Sequence, residues 1–194
     1  MRISARNPLR ATVLAPTEGQ TAAPVALAAS TALVLLAASL TAGPVAAQDA
    51  SGCARFRWPI DRERSAFGTP GLQVVEAGKP LPGIMDPAIV RLKPLADAGF
   101  ERPPGRKPRD GSFGVAVKTP PLAVSGTYQV TISDDAWIDV IQNGREVRSS
   151  GSSTERDCPN VRKSVRFPLA AGQATVQISG AAADSIKVDL LPAL

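Results

Sequence analysis

The chain has 194 residues, with 22 Lys and Arg against 17 Asp and Glu, and a formal net charge of +5 at pH 7. It contains no histidine, so the commonest general base is missing and no Ser-His-Asp or Cys-His arrangement can form. Neither a Walker motif nor a Gly-rich nucleotide fingerprint occurs. Two cysteines are too few soft ligands for a structural zinc site. We therefore expect no cofactor, no metal and no common catalytic apparatus.

The first fifty residues have the pattern of an export signal. Three arginines precede an apolar stretch over residues 25–42, and small residues up to Ala47 follow it. A basic region, an apolar region and small residues before a cleavage site define a secretory signal peptide. This predicts a signal peptide over residues 1–47. An uncleaved anchor is the alternative, because the apolar stretch is about 18 residues long.

Residues 48–194 have the length of one domain with a sizeable core. Their excess of basic residues is mild and spread along the sequence, and no segment is apolar enough to span a bilayer. We therefore expect a single exported domain, periplasmic or secreted, with no membrane span after the signal.

The two cysteines, Cys53 and Cys158, lie near opposite ends of this domain. In an oxidising compartment, two cysteines most simply form one disulfide. A reactive thiol or a metal ligand is the competing interpretation. We predict the Cys53–Cys158 disulfide.

The first third of the domain is irregular. We expect a short strand over residues 54–59, one or two helical turns over residues 61–67, and strands over residues 72–76 and 88–93. Residues 100–121 carry five prolines and the basic run Glu101–Arg109. Because proline lacks the donor that a sheet ladder needs, this segment is predicted to be a solvated loop that crosses the end of a sheet.

Apolar and polar residues alternate with a period of two through the rest of the chain, as strands with one buried face require. Asn143-Gly144 separates two of these runs and predicts a hairpin with a type I′ turn. The predicted strands cover residues 113–118, 128–133, 137–142, 145–149, 164–167, 174–179 and 186–190. Eight or nine short strands in one domain predict an all-β, antiparallel two-sheet sandwich, of jelly-roll type.

The most distinctive segment is Ser133–Val140, in which an acidic corner leads into a strand. By parity Ile138 and Val140 face one way, and Trp137 and Asp139 face the other. If the β-branched pair is buried, an exposed indole lies beside a carboxylate, which is typical of sites that stack a sugar ring and hold its hydroxyl groups. Asp134 and Asp135 precede the strand and complete the predicted ligand-binding set. In the alternative, Trp137 is a core residue and the aspartates only form the corner.

Lys163 and a group of four arginines are further candidates. Lys163 has the parity of the apolar face of its strand, so it either extends to solvent or pairs with a carboxylate such as Asp139. Arg55, Arg57, Arg62 and Arg64 form a basic patch if the disulfide brings them beside Cys158. Since the basic run Glu101–Arg109 lacks interleaved aromatics, no nucleic-acid partner is expected.

The strand-and-turn pattern resembles jelly-roll carbohydrate-binding and protective-antigen-type modules. The residues that carry the resemblance are Gly126–Tyr128, Ser133–Asp135, Trp137–Asp139, Asn143-Gly144, Leu169 and Ala171-Gly172. The resemblance implies a jelly-roll sandwich and a sugar ligand.

The whole domain also resembles a set of short exported proteobacterial proteins. The shared runs are Cys53–Trp58, Asp61–Arg64, Tyr128, Trp137–Val140, Cys158 and Lys163–Phe167. Some members of the set carry the name homogentisate dioxygenase, an enzyme family that holds iron with His and Glu. Because this chain has no histidine, that activity is not expected of it.

The leading hypothesis is a non-catalytic β-sandwich that binds a ligand or partner, either a glycan or a protein of the cell envelope. The alternative is an envelope accessory protein without a small-molecule site, and an enzyme comes third. A solvent-facing Trp137 in a groove favours ligand binding, and a buried one favours the accessory role. Two carboxylates that face each other across a cleft would favour an enzyme.

Overall fold

The computed structural model describes residues 50–193, and the predicted signal peptide, residues 1–47, lies outside them. Among the described residues, none of the helices is long and apolar enough to cross a membrane.

The described residues form eleven strands, two short α-helices and one 3-10 helix. The helices are α1 (Ala50–Cys53), α2 (Asp61–Gly68) and the 3-10 turn Leu95–Asp97. The strands are β1 (Gln73–Val75), β2 (Ala88–Arg91), β3 (Lys93–Pro94), β4 (Phe113–Lys118), β5 (Gly126–Ile132), β6 (Trp137–Gln142), β7 (Arg145–Glu146), β8 (Gly151–Thr154), β9 (Lys163–Leu169), β10 (Thr175–Ala181) and β11 (Ser185–Pro192).

The strands form two sheets. One has six strands in the order β1-β2-β11-β5-β9-β8, and the other has five in the order β3-β4-β10-β6-β7. The β1–β2 pair is parallel, and the other pairs in the described chain are antiparallel. The all-β, antiparallel two-sheet sandwich is confirmed, and the jelly-roll type stays a prediction.

The alternating apolar residues form the core between the two sheets. In the six-stranded sheet Val130 lies opposite Leu190 and Val165, and in the five-stranded sheet Val176 lies opposite Val117 and Val140. All of these side chains are buried. Each contributes about 1.5–3 kcal/mol through removal of its apolar surface from water, so the core holds the two sheets face to face.

The predicted turn at Asn143-Gly144 is confirmed. Both residues have positive φ, 53° and 71°, which is what a type I′ turn requires. The hairpin they close joins β6 to β7, and its second strand is shorter than residues 145–149.

Two local expectations are wrong, and one strand is missed. Residues 54–59 form turns, because Phe56 and Trp58 pack into a separate small core and do not pair with a strand. The segment 88–93 divides at Leu92 between β2 of one sheet and β3 of the other. Strand β8 is unpredicted, since its residues Gly-Ser-Ser-Thr carry no apolar alternation.

The N-terminal segment, residues 52–71, covers the outer face of the six-stranded sheet. Its apolar side chains form a second core of Phe56, Ile60 and Phe67 with Val161 and Cys158. On the polar side, the Trp58 indole donates to Ser164 Oγ at 3.0 Å. Glu63, 1 % exposed, accepts hydrogen bonds from Thr131 at 3.0 Å and from Gln129.

The predicted disulfide links this segment to the β8–β9 loop. Cys53 and Cys158 are bonded, with their Cα atoms 4.6 Å apart. Gly52 permits the approach, because a Cβ at that position would collide with the Asp157 carbonyl group. The disulfide therefore holds the covering segment at the end where it begins.

Removing the disulfide should destabilise the domain substantially. The two cysteines are 105 residues apart, and closing a loop of that length is worth about 4–5 kcal/mol through the entropy of the unfolded chain. The double variant Cys53→Ala/Cys158→Ala should lose about that much unfolding free energy in urea titrations. Reduced wild-type protein is the control, and a loss below about 1 kcal/mol in both would contradict the prediction.

Asp189 is a buried carboxylate beside this segment. It is 1 % exposed, and neither of its oxygens has a hydrogen-bond partner of good geometry among the described residues. Burial and, to a smaller extent, the charge of Glu63 raise the pKa of Asp189 to about 6, against the opposing effects of Arg62 and the Leu190 backbone amide. The folded protein therefore holds this proton more tightly than the unfolded chain does.

Because the folded state holds the Asp189 proton more tightly, we expect the unfolding free energy to fall as pH rises. Below pH 3.8, the ordinary value, both states hold the proton and the penalty is absent. Between that pH and about 6 the unfolded state ionises first, so the folded state loses about 2–3 kcal/mol. Asp189→Asn should therefore gain unfolding free energy relative to wild type as pH rises from about 4 to about 7. The exposed Asp110→Asn is the control, and parallel pH profiles for wild type and Asp189→Asn would contradict the assignment.

Candidate functional site

Trp137 begins β6 and lies at the surface. Its side chain is 38 % exposed, whereas Ile138 and Val140 are 5 % and 0 % exposed. The predicted parity of this strand is therefore correct, and the indole is not a core residue. Its Nε1 donates a hydrogen bond to Asp139 Oδ1 at 2.8 Å, which holds the ring in one orientation.

Asp139 shares the face of Trp137, but the expectation that it is exposed is wrong. It is 6 % exposed, because the loop Glu101–Arg109 lies over it. Its second oxygen, Oδ2, accepts a hydrogen bond from the Gly105 backbone N–H at 2.9 Å. Since both oxygens already have partners, the main role of Asp139 is to position the indole and the loop, and its remaining surface borders a separate depression with Glu146 and Arg148.

The prediction of a loop over the whole of residues 100–121 is wrong, because Phe113–Lys118 forms β4, which pairs with β3 and β10. The run Glu101–Arg109 is a loop, but it covers the outer face of the five-stranded sheet and does not cross its end. Gln177 fixes it by accepting from the Glu101 N–H at 2.7 Å and donating to the Arg102 carbonyl at 3.0 Å. A residue larger than glycine does not fit at 105, because a Cβ there would lie 2.9 Å from Asp139 Oδ1 and 3.4 Å from Trp137 Nε1. The prolines suit this path, because a segment outside the ladder needs no strand donor.

Asp134 and Asp135 are both exposed at the start of β6. Asp134 accepts from the Asp135 N–H at 2.9 Å and forms the corner. Asp135 points toward two cations, at 3.7 Å from Arg162 and 3.8 Å from Lys163. Of the predicted set, Trp137 and Asp135 line the same depressions, Asp139 supports them from below, and Asp134 is not among their lining residues.

Lys163 pairs with Asp135 and not with Asp139, so the predicted partner is wrong. Its side chain is 13 % exposed, its Nζ donates to the Ala136 carbonyl group, and it lies 5.7 Å from the centre of the Trp137 ring. Burial lowers the pKa of Lys163; Asp135 opposes this shift, and Arg106 and Arg162 add to it. The amine is therefore a desolvated cation in a mostly positive environment.

Trp137 lines three depressions. One, of about 350 Å³, is bordered by Asp139, Glu146 and Arg148, and the other two adjoin each other. Their volumes are about 200 and 290 Å³, and they share Arg106, Asp135, Trp137 and Lys163. The first extends to Lys107, Pro108 and Arg109, and the second to the hydroxyl groups of Ser149, Ser152 and Thr154. We call this pair of depressions the Trp137 site.

The Trp137 site carries more positive than negative charge. Arg106, Lys107, Arg109 and Lys163 line it together with one acidic residue, Asp135. Arg106 also lies 6.0 Å from the centre of the indole ring. The three loop cations were expected only as part of a solvated basic loop, and no local pattern places them beside a tryptophan more than 25 residues away.

The predicted basic patch near the disulfide is largely neutralised. Arg55 contacts Glu155 at 3.0 Å and Asp157 at 2.8 Å, and Arg64 lies 3.5 Å from Asp61. These acidic neighbours leave the Trp137 site as the stronger candidate. Within residues 50–193, no group of three or more Cys, Asp or Glu side chains is arranged to hold a metal ion.

A scan against models of known protein families finds no match, and searches of curated proteins and of solved structures find none either. What the Trp137 site binds therefore has to be inferred from its own geometry and charge.

Asp139→Asn should loosen the indole and the loop together. The amide would present an NH₂ group to one of the two N–H donors that Asp139 now binds, so one buried hydrogen bond is lost at a cost of about 1–3 kcal/mol. We expect lower unfolding free energy and faster hydrogen exchange at Gly105. The exposed Asp134→Asn should change neither, and equal behaviour of the two variants would refute the assignment.

Proposed function

We propose that this domain is a non-catalytic, exported β-sandwich that binds a glycan of the cell envelope at the Trp137 site. The observation that carries the proposal is the partly exposed indole, held by Asp139 at the junction of two depressions. An indole that is already oriented loses little conformational entropy when a ligand stacks on it. Its N–H is satisfied internally, so the exposed ring surface is what it offers a ligand.

The lining of the site suits a hydroxylated ligand. A sugar ring has an apolar face that can pack on an aromatic ring and a rim of hydroxyl groups that need hydrogen bonds. Ser149, Ser152 and Thr154 line the second depression and supply both donors and acceptors. The combination favours a sugar over a purely apolar ligand.

The proposed location is the periplasm or the outside of the cell. The Cys53–Cys158 disulfide supports it, because disulfides persist mainly in oxidising compartments. An envelope glycan would be accessible to the protein there.

Trp137 substitutions test the proposal on a glycan array. Trp137→Ala should abolish binding and cost no more than about 1–2 kcal/mol of stability, because the lost groups are one hydrogen bond and a partly exposed ring. Trp137→Phe keeps an aromatic face and should retain part of the affinity. A stability loss of roughly 3–5 kcal/mol for Trp137→Ala, with no glycan bound by wild type, would overturn the proposal in favour of an accessory protein.

Fluorescence can report on the same site in solution. The chain has two tryptophans, so Trp58→Phe leaves Trp137 as the only indole and serves as the background for titrations. A glycan that binds as proposed should change the emission of that variant. Unchanged emission with a glycan shown to bind by calorimetry would place its site elsewhere.

A further inference from the structure

We infer that the glycan bound at the Trp137 site is acidic, with a carboxylate or phosphate group on its sugar units. This inference rests on the proposed function and narrows its ligand class. The sequence pattern indicated the opposite polarity, in which aspartates hold the hydroxyl groups of a neutral sugar. The tertiary structure removes Asp139 from that role and brings cations in its place.

The unbalanced charge is the first argument. Among the ion pairs of the described residues, Arg106, Lys107 and Arg109 have no acidic partner within 4 Å. Asp135 is the only carboxylate that lines both depressions. It already lies near Arg162 and Lys163 at 3.7 and 3.8 Å, so it cannot neutralise the loop cations as well.

The burial of Lys163 is the second argument. A charge that has lost much of its hydration interacts more strongly with an anion than an exposed one does, since the effective dielectric constant is lower. Lys163, with its side chain 13 % exposed, is such a charge, and it lies close to Arg106 and Arg162. An anionic group bound here would relieve repulsion that the protein otherwise retains.

The arrangement of the depressions suits consecutive units of a polymer. At about 200 and 290 Å³, they lie at or below the lower end of the roughly 300–1,000 Å³ of pockets that enclose drug-sized molecules, so each suits a small unit. Because the two adjoin at Trp137, consecutive sugar units can occupy them with the indole between. The loop cations flank the first unit, and the hydroxyl groups of β8 and its preceding turn flank the second.

Other polyanions fit less well. Single-stranded nucleic acid is bound by several aromatic side chains that stack successive bases, whereas Trp137 is the one aromatic residue lining either depression. A lipid surface favours exposed apolar side chains beside the cations, whereas the two aliphatic residues that line the second depression, Ile138 and Val165, are buried. The test below therefore also includes a single-stranded oligonucleotide and anionic phospholipid vesicles.

The test compares matched ligands by calorimetry with the whole protein. One pair is an oligogalacturonate and its methyl ester, and the other is a phosphorylated oligomannoside and its dephosphorylated form. In at least one pair the acidic member should bind about tenfold more tightly, as expected for one to two charge contacts. The difference should shrink between about 50 and about 500 mM NaCl, because salt screens it. The pair that shows it identifies the anionic group.

Variants assign the effect to the site. Arg106→Gln/Lys107→Gln should lower affinity for the acidic member severalfold more than affinity for the neutral member, so that the difference between the two shrinks. Arg91→Gln, an exposed cation on β2 of the other sheet, is the matched control and should have no effect on either.

Three outcomes would overturn the inference. Equal or tighter binding of the neutral members would refute the acidic preference and leave glycan binding in place. Binding of none of the four, together with a glycan array without hits, would refute both. Tighter binding of anionic phospholipid vesicles or of a single-stranded oligonucleotide than of either acidic glycan would replace the glycan with that ligand class.

Discussion

Hydrogen bonds between polar side chains of the sheets and the backbone of irregular segments hold the outer layers of this domain in place. A covered loop has backbone groups that must find partners, because an unsatisfied buried N–H or C=O costs free energy comparable to a lost hydrogen bond. Gln177 meets this need by accepting from one backbone amide and donating to a carbonyl of the same loop. Asp139 adds the bond to Gly105. Polar strand residues that alternate with the core residues, such as Gln177 and Asp139, therefore help to hold the covering loop on the sheet.

The same bonds determine the charge of the candidate site. Asp139 accepts a hydrogen bond from Gly105 and so differs from the ligand contact that the sequence predicted. The loop that it holds places Arg106 and Lys107 beside Trp137. Each of these loop cations alone contributes little in water. In the proposed function, their effect comes from being held next to a desolvated Lys163 and a fixed indole, which would present an arranged set of groups to the ligand. The positions of these charged groups therefore matter more for the site than their number.

The segment that covers the six-stranded sheet is held in place by other interactions. It has an apolar core of its own, a disulfide and the buried Glu63, which Thr131 and Gln129 bind. Asp189, in contrast, is buried without a good partner. A penalty of about 2–3 kcal/mol for its ionisation is smaller than the roughly 4–5 kcal/mol of the disulfide. The segment over the six-stranded sheet therefore stays in place although the buried carboxylate of Asp189 lacks good hydrogen bonds. Over the five-stranded sheet, in contrast, both oxygens of Asp139 accept hydrogen bonds.

The sequence by itself determined most of the strands from β4 onward, the Asn143-Gly144 turn, the cysteine pair and the orientation of Trp137 against Ile138 and Val140. These follow from local rules, since side chains in a strand alternate with a period of two and a type I′ turn needs positive φ. Tertiary structure decided what covers each outer face, and with it the burial of Asp139, the partner of Lys163 and the positive charge of the site. Alternation states which way a residue points within its strand, but the segment that lies over it comes from a distant part of the chain. Only folding brings the two together.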